Sequence, residues 1–234
     1  MLEEILISGM ADLGLDCSPD AVQKLRRYAD QLTETNRVMN LTAITEEDDI
    51  ARLHFLDCAA LLKMADFHGK RVIDVGTGAG FPGLVLKILC PDLELTLLDS
   101  LDKRIHFLQT VCDELSLTGV TCIHARAEEP SPELRGHFDI ATARAVAGLN
   151  ILSELCLPYV KRGGTFLAMK GPDCAEEVRA AKKAAALTGG QILEIRDYEI
   201  PGSGIHHAAV IVQKTGATPA RYPRRWAQIK KAPL

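Results

Sequence analysis

No apolar run in this chain is long enough to cross a bilayer. Its first residues, Met1-Leu2-Glu3-Glu4, lack the basic region and apolar run of a secretory signal. A cytoplasmic protein without a membrane partner is therefore expected. There is no C-x-x-C pair. The seven cysteines, Cys17, Cys58, Cys90, Cys112, Cys122, Cys156 and Cys174, are odd in number and scattered. That spacing argues against a disulfide frame or a zinc site and suits buried, reduced thiols. His206 and His207, adjacent in a strand-like run, would point to opposite faces, so no metal is expected there either. A large excess of basic charge is also missing. The formal net charge is −4, which does not advertise a nucleic-acid partner. Neither an internal repeat nor a low-complexity tract is visible.

What remains is ample for a folded enzyme. With 234 residues, 47% of them hydrophobic, the chain can bury a full core as one domain with a helical appendage. Residues 1–66 read as helices. Ile5, Leu6, Met10 and Leu13 make one apolar stripe. Ser18-Pro19-Asp20 is a helix start, followed by Val22, Leu25, Ala29 and Leu32 at helical spacing. Thr45 with Asp48 predicts a capping box before a third helix. From Lys70 the rhythm changes to alternating strands and helices, the mark of a parallel sheet covered on both faces. Strands are expected at 72–75, 95–98, 120–124, 138–141 and 165–169. A closing pair follows at 191–198 and 207–213, the last of them antiparallel.

The stretch on which this pattern turns is Arg71-Val72-Ile73-Asp74-Val75-Gly76-Thr77-Gly78-Ala79-Gly80-Phe81-Pro82-Gly83. A strand runs into a turn stripped of Cβ atoms, then into a helix. Two readings compete. Gly78 to Gly83 fits the G-x-G-x-x-G dinucleotide fingerprint, with Asp99 as the ribose-binding acid. Counted from the strand, Asp74 to Gly80 fits the acid-x-G-x-G-x-G pattern of S-adenosylmethionine enzymes. Asp74 would repel a pyrophosphate but suits an ammonium or a ribose diol, and so favours the second reading.

In such a sheet ligands lie beyond the carboxyl ends of the strands. That singles out Gly76, Gly78 and Gly80 in the turn; Asp99 and Ser100 after the second strand, with Asp99 placed to accept the ribose hydroxyls; Ala127 and Glu128 after the third, at the adenine edge; and Arg144 after the fourth, where the transferable methyl should point. The fourth loop has no Asn/Asp-Pro-Pro-Tyr for an exocyclic amine and no cysteine for pyrimidine C5. A ring nitrogen that is already nucleophilic needs neither, only orientation and a matched field. Lys170, at the end of the fifth strand, is a candidate for a substrate phosphate. His54 and Asp57, three apart on a helix, could pair. The tail from Lys214 carries Lys214, Arg221, Arg224, Arg225, Lys230 and Lys231 with no acid, beside Tyr222 and Trp226. It is expected to have little regular structure, and basic residues among aromatics suit RNA.

Asn40-Leu41-Thr42-Ala43-Ile44, Arg52-Leu53-His54-Phe55-Leu56-Asp57, the glycine turn with its Phe81-Pro82-Gly83 ending, Leu97-Leu98-Asp99-Ser100, Lys103-Arg104, Phe107-Leu108, Arg144-Ala145, Lys170-Gly171 and Tyr222-Pro223-Arg224-Arg225 occur in this order across nearly the whole chain. Together they resemble the bacterial small-subunit ribosomal RNA guanine-N7 methyltransferases, the RsmG or GidB family. One departure is Cys58, where a serine usually follows Asp57. The resemblance implies a class I, Rossmann-like α/β fold: a doubly wound, mostly parallel seven-stranded sheet with an antiparallel final strand, plus N-terminal helices. It divides the chain into an N-terminal helical region (1–66), an S-adenosylmethionine-binding methyltransferase domain (67–214) and a basic C-terminal tail (215–234). It further implies methylation of one guanine N7 in 16S ribosomal RNA, presented free, in the small subunit or in an assembly intermediate, by a monomer that releases S-adenosylhomocysteine. Cofactor contacts are implied at Gly76, Phe81, Ala127, Glu128 and Arg144. His54, Asp57, Lys170 and the tail arginines Arg221, Arg224 and Arg225 are then assigned to the RNA side. A methyltransferase for a small molecule, a nucleotide-sensing ribosomal module without chemistry and a dehydrogenase are the alternatives.

Overall fold

The computed structural model describes residues 1–144 and 147–234; Ala145 of the Arg144-Ala145 motif lies outside the described residues. Seven strands form one sheet: β1 Arg71–Val75, β2 Glu94–Asp99, β3 Val120–His124, β4 Phe138–Arg144, β5 Val160–Lys170, β6 Gly190–Ile200 and β7 Ile205–Lys214. Their order is β3-β2-β1-β4-β5-β7-β6. β1 to β5 pair in parallel, and β7 inserts antiparallel between β5 and β6. The order reverses between β1 and β4, and a crevice opens beyond their carboxyl ends.

Strand alternation divides the core. Val72, Leu95 and Leu97 face one layer, and Ile73, Val75 and Leu98 face the other. The first layer contains α1 (Leu2–Asp12), α2 (Pro19–Met39), a helical stretch α3 (47–63), α4 (Gly83–Leu89) and α5 (Asp102–Glu114). Leu6, Leu25, Tyr28 and Phe55 share one apolar cluster with Val72, Leu84 and Leu97, so the N-terminal helices are continuous with the sheet's own core. The opposite layer is α6 (Leu149–Cys156), α7 (Ala175–Leu187) and a short α8 (Trp226–Lys231).

Local signals explain the helix boundaries. Ser18 caps α2, its side chain accepting from the Ala21 amide at 3.1 Å. The capping box expected at Thr45 is not formed: the helical residues begin at Glu47, with no side-chain cap. Glu47 Oε1 is instead bonded by the Leu2 amide and Arg26, which fixes the start of α3 against α1 and α2. Within α3, Ile50–Leu56 is wound as π-helix, and it contains both His54 and Leu53, whose carbonyl accepts from Arg144 of β4 at 3.1 Å.

The tail departs from expectation. It packs instead of trailing. Tyr222 and Ile229 are buried, and Ile229 belongs to the second-layer core. Arg224 forms a forked ion pair with Glu154 of α6, Nε to Oε1 at 2.8 Å and Nη2 to Oε2 at 2.6 Å. Glu154 is fully buried, so the guanidinium is its counter-charge and is turned away from solvent RNA. The composition is that of a disordered segment; among the contacts that order it is the pairing of Arg224 with a buried acid of the body. Arg224→Ala leaves that acid unpaired and should lower stability by about 3 kcal/mol. The check is a reduced urea midpoint at unchanged m-value.

Candidate active site

At the end of β1 the chain turns through Gly76 and Thr77, whose amides both donate to Leu98 O of β2. Asp74 lies beneath this turn, not in the crevice. It is fully buried, accepting at Oδ2 from the Thr77 hydroxyl (2.7 Å) and the Gly83 amide (2.9 Å) and at Oδ1 from Thr142 (3.1 Å). Burial pushes its pKa up to about 6 against the pull of these bonds. The expected ligand contact at Asp74 is thus replaced by a brace that ties strand, turn and helix together. Gly80 also leaves the list of ligand contacts. At φ +105° a Cβ there would meet the Tyr28 hydroxyl at 2.6 Å, and that hydroxyl donates to Ala79 O. The glycine is needed so that α2 can pass under the turn. Gly78 is different: at φ +61° its missing Cβ leaves open space.

That space belongs to a cavity of about 530 Å³. Its lining includes the mutually contacting Thr42, His54, Phe81 and Arg144, the turn residues Gly76 to Gly78 with Asp99, and Ser100, Ala127, Glu128 and Trp226. Asp99 is nearly buried. Its Oδ2 accepts from the Gly78 amide (2.9 Å) and Arg104 (3.3 Å), and its Oδ1 from the Leu101 amide (2.9 Å). Among the described residues Oδ1 has a single donor, so one acceptor position remains for a ligand hydroxyl. Here the helix-entry role and the ligand role coexist in one carboxylate. Glu128 is paired with Arg126 at 3.5 Å, and Tyr159 donates to Ala127 O and fixes that loop.

Arg144 organises the first of these groups. Its Nη1 donates to Leu53 O (3.1 Å) and Asp57 Oδ2 (3.3 Å), its Nη2 to His54 Nδ1 (2.9 Å), and its Cζ lies 4.7 Å from the Phe81 ring centre. His54 and Asp57 therefore do not pair with each other; the guanidinium stands between them. Asp57 Oδ1 accepts from Tyr198 and His207, each at 2.8 Å. Asp57 is 2% exposed and does not line the cavity. It holds Arg144 from behind and cannot face RNA as expected.

A guanidinium can only donate. His54 Nδ1 is therefore an acceptor, and the ring proton sits on Nε2, where it is donated to Thr42 Oγ1 at 2.8 Å. Burial and the Arg144 charge push the His54 pKa down to about 3, so the ring is neutral. The Ile44 amide also donates to Thr42 Oγ1, at 3.1 Å. With both lone pairs engaged, the hydroxyl proton of Thr42 is a donor for whatever fills the cavity.

Lys170 is drawn off the site. Its Nζ donates to Ala147 O (2.8 Å) and Glu177 Oε1 (2.7 Å), bracing the start of α6 against α7. Arg221 lies over Tyr222 at 5.1 Å and is exposed, as is Arg225. Cys58 is fully buried behind the site, where burial pushes its thiol up. Thr42, Trp226, Tyr198 and His207 are the residues that sequence reasoning left out. The pairing of Tyr198 with His207 across β6 and β7 would have been the signal for two of them, once the hairpin register was known.

Comparison with known proteins agrees with this geometry. The family model described as rRNA small subunit methyltransferase G (GidB) matches residues 21–202. The ribosomal RNA small subunit methyltransferase G of Clostridium perfringens (strain SM101) is 48% identical over 225 residues, 95% of this chain and 94% of that protein. Its namesake from Clostridium botulinum (strain ATCC 19397) is 46% identical over 233 residues, 98% of both. Among solved structures, a variant of MtNAS in complex with S-adenosylmethionine is similar at TM-score 0.56 and 16% identity, covering 83% of this chain and 73% of that one. TrmN from Thermus thermophilus is similar at TM-score 0.53 and 22% identity, covering 67% and 48%. These two establish the fold.

The protonation argued for the Arg144 cluster is measurable. Nitrogen-detected NMR should show one imidazole, assigned to His54 by its loss in His54→Gln, protonated at Nε2 and unchanged from pH 5 to 8. A ring titrating near 6.5 at that position would contradict the arrangement.

Proposed function

The chain belongs to the rRNA small subunit methyltransferase G family, and from that premise we propose that it methylates N7 of one guanine in 16S ribosomal RNA. S-adenosylmethionine supplies an electrophilic methyl group when bound, and S-adenosylhomocysteine is the product. The cavity fits that cofactor in size, in the open acceptor position at Asp99 for a ribose hydroxyl and in the bare backbone at Gly78. Asp99 and Ser100 would hold the ribose, Ala127 and Glu128 the adenine, and Gly76, Gly78, Phe81 and Arg144 the amino-acid end.

The observation that carries the reading is the composition of the cavity end at Arg144. Among the described residues, no group there is poised to remove a proton. His54 is neutral, but its one lone pair is already committed to Arg144. Guanine N7 has a lone pair in the ring plane and loses no proton on methylation, so such an end suffices for it. Substrates that must be deprotonated would find no base. What the protein contributes is placement: a guanidinium and an imidazole bonded to each other and both packed on Phe81, held by Asp57 and Leu53 O, against which a flat base and the methyl donor can be aligned.

The RNA approaches from solvent, and Arg221 and Arg225 are the tail arginines free to meet its phosphates; Arg224 is committed to Glu154 and Lys170 to Glu177. In this reading residues 1–66 complete the methyl end of the site, 67–214 hold the cofactor and 215–234 bring basic charge to the rim. The protein acts in the cytoplasm as a monomer. None of its helices among the described residues is long and apolar enough to cross a membrane.

Base-resolved mapping of 16S RNA after incubation with the chain and S-adenosylmethionine should reveal one guanine methylated at N7, and the signal should vanish with Arg144→Ala. No modified guanine, or an Arg144→Ala enzyme as active as wild type, would reject the assignment. Replacing Arg221 and Arg225 together by alanine should weaken RNA binding and flatten its salt dependence by about one unit of slope per lost phosphate contact. Cofactor affinity should stay unchanged. Asp99→Ala should reverse that pattern, with cofactor affinity lost and RNA affinity kept.

A further inference from the structure

Trp226 is the sole tryptophan of the chain. It opens α8, three residues before the fully buried Ile229 and so on the same helix face. The segment that carries it is fastened to the body at several points. Lys214 Nζ donates to Leu157 O and Thr188 O, and Arg135 Nη2 donates to the carbonyls of Thr218, Pro219 and Tyr222. The Arg224–Glu154 pair follows, and Asn150 Nδ2 reaches Leu234 O at 3.4 Å. A solvated RNA arm needs none of these anchors. They deliver one large aromatic to a defined place, and that place is the wall of the cavity, in company with Ala125, Ala127, Glu128 and Leu155. Ile229 of the same helix belongs to the core cluster that contains Leu155 and against which Ala125 and Ala127 pack, whereas Phe81, beside His54 and Arg144, belongs to the other cluster. Even so positioned, Trp226 remains 39% exposed. An indole held by a buried ion pair yet left partly uncovered is a surface for a flat ligand.

We propose that Trp226 forms the outer wall of the adenine subsite and covers the adenine ring of S-adenosylmethionine. The inference rests on the cofactor reading above. It turns the C-terminal segment from an RNA arm into part of the cofactor site, with only its exposed arginines directed to RNA. Stacking of a base on an aromatic side chain is commonly worth ten-fold or more in affinity by alanine substitution. It also makes the single indole a reporter of occupancy.

The test uses the full chain, with tryptophan emission and calorimetry read in parallel. S-adenosylhomocysteine and adenosine should each change the emission of Trp226 saturably, and L-methionine should not. Trp226→Ala should raise the Kd for S-adenosylhomocysteine ten-fold or more at unchanged melting temperature of the free protein, and Trp226→Phe should recover most of the loss. Calorimetric binding without an emission change, joined to an unaltered Kd in Trp226→Ala, would overturn the proposal. So would a Trp226→Ala protein that lost RNA affinity alone, which would place an RNA base on the indole. A wild-type chain that bound no S-adenosylhomocysteine by calorimetry would remove the cofactor assignment, and this inference with it.

Discussion

One half-buried guanidinium joins the N-terminal helices to the sheet. Arg144 ends β4, yet three of its hydrogen bonds go to α3: Leu53 O, His54 Nδ1 and Asp57. Asp57 in turn receives Tyr198 and His207 from the β6–β7 hairpin. Removing water from such charges is expensive, and the arrangement persists because every partner is fixed by geometry as well as by charge. The π-turn in α3 is part of that geometry, since it presents the Leu53 carbonyl to a donor from the sheet. The consequence is chemical. A histidine that would ordinarily titrate near neutrality becomes a neutral, oriented ring, its acceptor nitrogen occupied and its donor nitrogen aimed at Thr42.

Below the crevice, Asp74 does a similar job for the glycine turn. Its carboxylate accepts from strand neighbour, turn and helix entry, so the loop that must lie flat against a ligand does not rely on the ligand for its shape. Preorganisation of this kind lowers the ordering cost of binding and suits a reaction in which alignment is the main contribution.

The succession of strands and helices was legible because hydrophobic periodicity changes at Lys70 and glycines interrupt the first strand–helix junction. Asp99, Glu128 and Arg144 follow strand ends, and a parallel sheet brings all strand ends to one rim. What stayed hidden has a common cause. Asp74 shares a face with Val72, so alternation along β1 contained the evidence that it points inward. The lure of an acid beside glycines outweighed that. Lys170, Asp57 and Arg224 carry charges that suggest solvent or RNA, and each is claimed by a partner 7 to 141 residues away that no local pattern reveals. The order of the tail draws on Glu154, an acid buried in α6. In a helix of six residues, α8, there is too little sequence for periodicity to show which side faces the body.

Such an acid is a liability wherever it is left unpaired, and that constrains how the C-terminal segment can serve two ligands. Were the tail a free arm, Glu154 would lie uncompensated in the second-layer core for much of the time. Because Arg224 must stay, α8 must stay, and Trp226 is held at the cavity whether or not RNA is present. The exposed arginines on either side of Arg224 can then move or bind without disturbing the cofactor end. On the proposed reading, a division of labour within five residues of sequence, one arginine for the fold and its neighbours for the substrate, follows from which of them meets a buried carboxylate.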